Sequence, residues 1–202
     1  MSIKAVIWDA GGVLLRTQDY KPRQRLADRM GTTCQELETL VFDGASSTRA
    51  QLGEITYEQH WENIRTTLNL RPEDMDLFWK DFWGGDFRDD ELVNYIRSLR
   101  KKYKTGLLSN AFSNMRYYLT QVLNISDAFD EMVISAEVGL VKPDPRIYQL
   151  ILHHLGVDNQ EAVFIDDFLR NVEGARQINM HAIHFRNPQQ TLSELENHLK
   201  ES

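Results

Sequence analysis

Asp9, Ser109, Asn110, Lys142, Asp166 and Asp167 are scattered along the chain, yet each falls at or shortly after the end of a short apolar run. A carboxylate can act as nucleophile or metal ligand. A hydroxyl and an amide can bind anionic oxygens, and an ammonium neutralises charge. Taken singly, each residue also has an ordinary structural role. Asp9 can cap the turn Ala10-Gly11-Gly12, Ser109-Asn110 and Asp166-Asp167 can cap helices, and Lys142 can sit solvated in a Lys-Pro-Asp-Pro turn. Together they make a different case. Three clustered carboxylates repel and raise one another's pKa unless cations join them. Lys142 is one such cation, and Mg²⁺, which favours oxygen ligands, is a second. A phosphate completes such a site, neutralised by lysine and metal and hydrogen-bonded by Ser109, Asn110 and the amides of the glycine turn.

The elements that must bring these residues together are legible as apolar runs. Ile3–Trp8, Thr105–Leu108, Glu131–Ile134, Ala162–Ile165 and His181–Phe185 are short and separated by helix-like stretches. Continuous apolar strands alternating with helices predict an α/β fold, a doubly wound parallel sheet covered on both faces. In such a sheet ligands bind beyond the carboxyl ends of the strands. Pro145 and Gly156 bracket a helix over Asp144–Leu155, and Thr191 with Glu194 has the spacing to cap the last one.

Between Arg16 and about Tyr103 no strand is expected. The stretch reads as amphipathic helices, with Thr33–Glu36 and Thr56–Gln59 as capping pairs. The predicted division is a core of residues 1–15 and 91–202 and a helical insert of residues 16–90. Helix Asp90–Lys102 returns the chain to the sheet. Trp61, Trp79 and Trp83 are expected to pack in the insert's core, with Trp83-Gly84-Gly85 as an alternative hinge or substrate-facing lip.

Asp9, Ser109-Asn110, Lys142 and Asp166-Asp167, in that order and with a helical insert after the first, resemble the four motifs of the haloacid dehalogenase-like hydrolases. The resemblance is to the branch of small phosphatases with a helical cap between motifs one and two, sugar-phosphate phosphatases among them. It implies a Rossmann-like core and a Mg²⁺-dependent phosphomonoester hydrolase. Asp9 would form an aspartyl-phosphate. The Gly11 carbonyl, Asp166 and Asp167 would bind Mg²⁺ with Asp9. Ser109, Asn110 and Lys142 would hold the phosphoryl group, and Asn171 would shape the fourth motif.

The family's first motif is Asp-x-Asp, whose second aspartate is the general acid and base. Here that place is Gly11, and general acid catalysis is commonly worth about 10²–10⁴-fold. A weakly active or non-catalytic phosphate-binding protein is therefore the alternative, and a metal-independent 2-haloacid dehalogenase a third reading. Neither a Gly-x-Gly-x-x-Gly fingerprint nor a P-loop string occurs. A phospho-receiver domain carries its acidic pair early, whereas here it comes late.

A formal charge of −7 argues against a nucleic-acid or anionic-membrane partner over a broad face. No apolar run approaches the roughly 20 residues a bilayer span needs, and no signal peptide is evident. One cysteine, Cys34, allows no intrachain disulfide and fits a cytoplasmic protein. The expected partner is a small phosphorylated substrate. The six histidines show no ligand pattern. His60, Arg49 and Arg65 of the insert are expected in packing or solvated roles.

Overall fold

Ile7 and Trp8 are neighbours in one strand, point to opposite faces, and are both fully buried. Their strand therefore lies at the centre of a three-layer structure. The computed structural model describes residues 2–200. Its strands are β1 Ala5–Trp8, β2 Leu15–Thr17, β3 Asp86–Arg88, β4 Lys104–Ser109, β5 Glu131–Ile134, β6 Ala162–Asp166 and β7 His181–His184. A five-stranded sheet runs in the order β5-β4-β1-β6-β7, with every neighbouring pair parallel.

On one face Val6 and Trp8 pack with Leu92, Val93 and Ile96 of helix Asp90–Leu99 and Leu195 of helix Pro188–Lys200. On the other, Ala5 and Ile7 pack with Ile147, Tyr148 and Ile151 of helix Pro145–Leu155 and Val172 of helix Leu169–Gln177. Burial on both faces is why the strands read as unbroken apolar runs. This is the doubly wound α/β fold expected. The chain leaves β1 for β4 on one side and returns to β6 on the other. The carboxyl ends of β4, β1 and β6 thus border the reversal in strand order, where such sheets bind ligands.

Between β2 and β3 the chain forms helices Lys21–Met30, Cys34–Glu38, Ala45–Gln51, Tyr57–Thr67 and Met75–Phe82. They enclose an apolar cluster of their own, including Leu26, Leu37, Trp61, Ile64, Phe78 and Phe82. Both expected capping boxes, Thr33–Glu36 and Thr56–Gln59, form. Trp61 is buried and Trp79 packs against it, whereas Trp83 is 37% exposed.

Three expectations are corrected. The stretch from Arg16 is not free of strands: β2 and β3 pair antiparallel, Leu15 opposite Arg88. Three residues are too few to carry an alternation pattern. Helix Asp90–Leu99 also stops short of Lys102, because Arg100–Tyr103 turn into β4. Finally, the last helix starts at Pro188, not Thr191. Pro188 opens it and Asn187 Oδ1 accepts from the Gln190 N–H at 2.9 Å, a better start than Thr191, which is buried inside.

Candidate active site

Asp9 is the first residue beyond β1, Ser109 the last of β4 and Asp166 the last of β6. Three adjacent strands therefore deliver them to one edge. Lys142 reaches them from the loop before helix Pro145–Leu155. Its Nζ lies 2.9 Å from Asp9 Oδ1 and 2.7 Å from Asp166 Oδ2, and donates to the Leu108 carbonyl at 2.9 Å. Three acceptors occupy the three donors of an ammonium. Asp9 Oδ1 also accepts from the Ala10 N–H at 2.7 Å, so its carboxylate is held in one orientation.

Asp166 is positioned from its other side. Asn171 Nδ2 donates to both its oxygens, at 3.0 and 3.1 Å, and the Phe168 N–H donates to Oδ1 at 2.8 Å. Asn171 is fixed in turn, since its carbonyl accepts from the Tyr148 hydroxyl at 2.8 Å. Asn110, expected at a phosphate, has its side chain engaged elsewhere. It donates to the Lys142 carbonyl at 3.0 Å and accepts from the Lys142 N–H at 2.8 Å. Its amide therefore holds the loop that carries the lysine. Ser135, which the sequence did not single out, accepts from the Ala111 N–H at 3.0 Å and secures the turn after Ser109. These partners lie 24 or more residues apart in sequence, so no local pattern announces them.

Burial raises Asp9 well above the usual carboxylate range; Lys142 pulls it back down, while Asp166 and Asp167 push it further up. Asp167 is pushed up to about 6, first by burial and then by Asp166. Burial alone would lower Lys142, but Asp9 and Asp166 outweigh it and leave the ammonium raised. One lysine thus faces three carboxylates, and burial, with their mutual repulsion added, raises two of them.

Ligand atoms of Asp9, Asp166 and Asp167 lie within 4.8 Å of one another. Asp167 Oδ1 is buried without a hydrogen-bond partner. An oxygen-only set of excess negative charge with an orphaned carboxylate oxygen fits a hard divalent cation such as Mg²⁺.

A cleft of about 600 Å³ opens beside Lys142 and Asn110. One wall is Val141, Pro143, Phe168 and Arg170; the other, from the inserted helices, is Phe42, Asp43, Thr48 and Gln51. A hollow of about 730 Å³ at the amino ends of the strands, beside Lys4 and Lys104, holds none of the site residues. His60 is buried and bonded to the Val41 carbonyl and Ser46. Arg65 pairs with Glu62 and Arg49 with Glu54. All three therefore have the packing or surface roles expected. No helix among the described residues is long and apolar enough to cross a membrane.

The family profile of haloacid dehalogenase-like hydrolases matches residues 3–179. Bifunctional epoxide hydrolase 2 of Sus scrofa is 29% identical over 97% of this chain, which spans only 39% of that protein's length. A phosphatase of Mycobacterium tuberculosis is 29% identical over 90% of this chain and 87% of its own. The crystal structure of a HAD family enzyme from Bacteroides thetaiotaomicron, in complex with magnesium and inorganic phosphate, superposes with a TM-score of 0.73. It is 23% identical and covers 90% of this chain and 93% of its own, a likeness that establishes the fold.

Proposed function

The chain belongs to the haloacid dehalogenase-like hydrolases, and from that membership we propose a Mg²⁺-dependent phosphomonoester hydrolase. Its substrate is a small phosphorylated metabolite, sugar phosphates among them, and its intermediate an aspartyl-phosphate on Asp9. One observation carries this reading: the Lys142 ammonium sits between Asp9 and Asp166, at 2.9 and 2.7 Å, beside a third carboxylate with an unpartnered oxygen.

The Asp9 carboxylate attacks phosphorus, the bond to the leaving oxygen breaks, and the departing alkoxide takes a proton from solvent water, balanced by the proton the attacking water releases in the second step. Water then attacks the phosphorus of the acyl phosphate. The bond to Asp9 breaks, and phosphate leaves with the carboxylate restored. Lys142 favours the ionised form of Asp9, keeps it in place and offsets the phosphoryl charge. The Ser109 hydroxyl and the backbone N–H of Asn110 bind phosphoryl oxygens. Mg²⁺, held by Asp9, Asp166, Asp167 and the Gly11 carbonyl, supplies positive charge against the phosphate when bound. Residues 1–15 and 91–202 carry this chemistry, and residues 16–90 cap the cleft.

Gly11 favours a second reading, phosphate binding with slow turnover, because it brings no carboxylate to protonate the leaving group. Dehalogenation by Asp9 would need no metal and would leave the Asp166-Asp167 pair without a use. The deciding experiment measures phosphate release from a panel of phosphomonoesters with and without Mg²⁺. Mg²⁺-dependent release supports the proposal. Phosphate binding without release supports the second reading, and halide release from a 2-haloacid the third.

A further inference from the structure

We propose that Arg170 binds a second anionic group on the substrate, so that the enzyme selects phosphomonoesters whose leaving group is itself an anion. The inference rests on the phosphomonoesterase reading and names the substrate class of that site.

Arg170 lines the cleft that Lys142 borders. Lys142 has its three donors committed to Asp9, Asp166 and the Leu108 carbonyl. Arg170 has no such commitment. Among the described residues every other arginine forms an ion pair or donates to a backbone carbonyl. Arg170 instead lays its guanidinium over the Phe168 ring, 5.2 Å from the centroid. Glu173 stands one turn along the same helix, and the two do not pair. The position also works against the helix itself. Arg170 is the second residue of Leu169–Gln177, whose first turn holds no acidic residue, and a cation there opposes the helix dipole. Neither pairing nor helix stability explains it. A ligand anion in the cleft does.

The opposite wall sets the orientation. Asp43, Thr48 and Gln51 face the cleft from the inserted helices. A carboxylate there repels an anion and accepts hydroxyl donors, so the second anion is directed to the Arg170 wall and hydroxyls to the other. At about 600 Å³ the cleft has the size of a small-metabolite site. The chemistry is a short hydroxylated chain with phosphate at one end and a carboxylate or second phosphate at the other.

The test is kcat/KM with Mg²⁺ on matched pairs: 3-phosphoglycerate against glycerol 3-phosphate for a carboxylate, fructose 1,6-bisphosphate against fructose 6-phosphate for a phosphate. The expected result is a preference of roughly tenfold or more for the doubly anionic member of at least one pair, carried by KM, within the range of a charge-assisted contact. Arg170→Glu abolishes that preference and shifts it toward phosphoethanolamine; Arg170→Lys keeps most of it. Arg97→Gln, which breaks an exposed pair with Asp127, leaves it intact. Equal kcat/KM within both pairs, or a preference that survives Arg170→Glu, overturns the inference. Calorimetric binding of the same pairs to Asp9→Asn reads the preference without turnover. Failure to hydrolyse any ester therefore counts against the phosphatase reading alone, and equal affinities count against Arg170.

Discussion

Gly12 packs so closely on Asp167 that a Cβ at Gly12 would lie 2.0 Å from Asp167 Oδ2. Gly12 also has φ +73°, a conformation costly for other residues. At Gly11, one residue earlier, a Cβ would meet nothing within 4 Å. The two adjacent glycines thus answer different demands: one lets the backbone touch a carboxylate, and the other faces open space. Gly12→Ala is expected to cost about 1–3 kcal/mol in backbone strain and to displace the Asp167 carboxylate. A lower melting temperature and weaker Mg²⁺ binding by calorimetry would register both effects. Gly11→Ala should change stability by no more than about 0.5 kcal/mol.

Asp9→Asn should lower phosphate release by roughly a thousandfold or more, since an amide cannot form the acyl phosphate and nucleophile losses are of at least that size. Circular dichroism should report an unchanged fold. Turnover near that of the wild type would remove Asp9 from the proposed role.

The contacts to Asp166 rank the next variants. Asp166→Ala removes a metal ligand, and Lys142→Ala removes a cation that cannot ligate while protonated. Mg²⁺ affinity should therefore fall far more in the first. Asn171→Ala leaves the ligand but frees it from the two hydrogen bonds at 3.0 and 3.1 Å. Loss of such an outer partner typically costs about 10–100-fold in metal affinity. Equal Mg²⁺ titration curves for Asn171→Ala and wild type would show that Asp166 needs no such support.

The raised carboxylates make stability depend on pH in the metal-free protein. Asp167, raised by burial to about 6 in the folded state, binds more protons folded than unfolded. Its contribution against folding grows as pH rises from the ordinary carboxylate value to about 6, and is complete above it. The size is on the order of 2–3 kcal/mol. His60 acts oppositely in an overlapping range: burial lowers its pKa, so protonation below the usual imidazole value favours unfolding. A difference measurement separates them. In EDTA, Asp167→Asn should melt higher than wild type at pH 7.5, with the gap shrinking toward pH 5. Adding Mg²⁺ at pH 7.5 should stabilise the wild type more than the variant. A gap independent of pH would show that Asp167 does not titrate in this window.

What was legible in advance follows the range of the interactions. The central strands of the main sheet are buried on both faces, and they announce themselves as apolar runs. The residues at their carboxyl ends follow from the fold alone. The β2–β3 ribbon has three residues per strand and depends on a partner some 70 positions away, as the Thr17–Asp86 hydrogen bond shows. The Asn110 side-chain amide secures the Lys142 backbone 32 residues on. That contact depends on how two loops approach. No local pattern marks Arg170, because only the folded arrangement shows that it stacks on Phe168 with no carboxylate of the described residues paired to it.

Gly11→Asp places a carboxylate where this chain has none, and the backbone accepts it: Gly11 lies outside the left-handed region, and a Cβ there meets open space. Strain therefore does not decide the outcome; the chemistry of the leaving group does. An alkyl or sugar alkoxide is a strong base and needs a proton as the P–O bond breaks, whereas p-nitrophenolate departs without one. If proton donation limits turnover, the variant should gain roughly tenfold or more on alkyl phosphates, within the usual range for acid catalysis, and little on p-nitrophenyl phosphate. A countervailing effect is built into the site. Asp9 is already raised by burial, Asp166 and Asp167, and a further carboxylate raises it again. The pH at half-maximal rate should then move upward. Stopped assays of phosphate release on both substrate classes between pH 5.5 and 8.5 would separate the two effects. Acid catalysis changes the ratio between the classes, while protonation of Asp9 slows both alike and is relieved at higher pH. A folded variant that gains equally on both classes would show that Gly11 does not mark a missing proton donor.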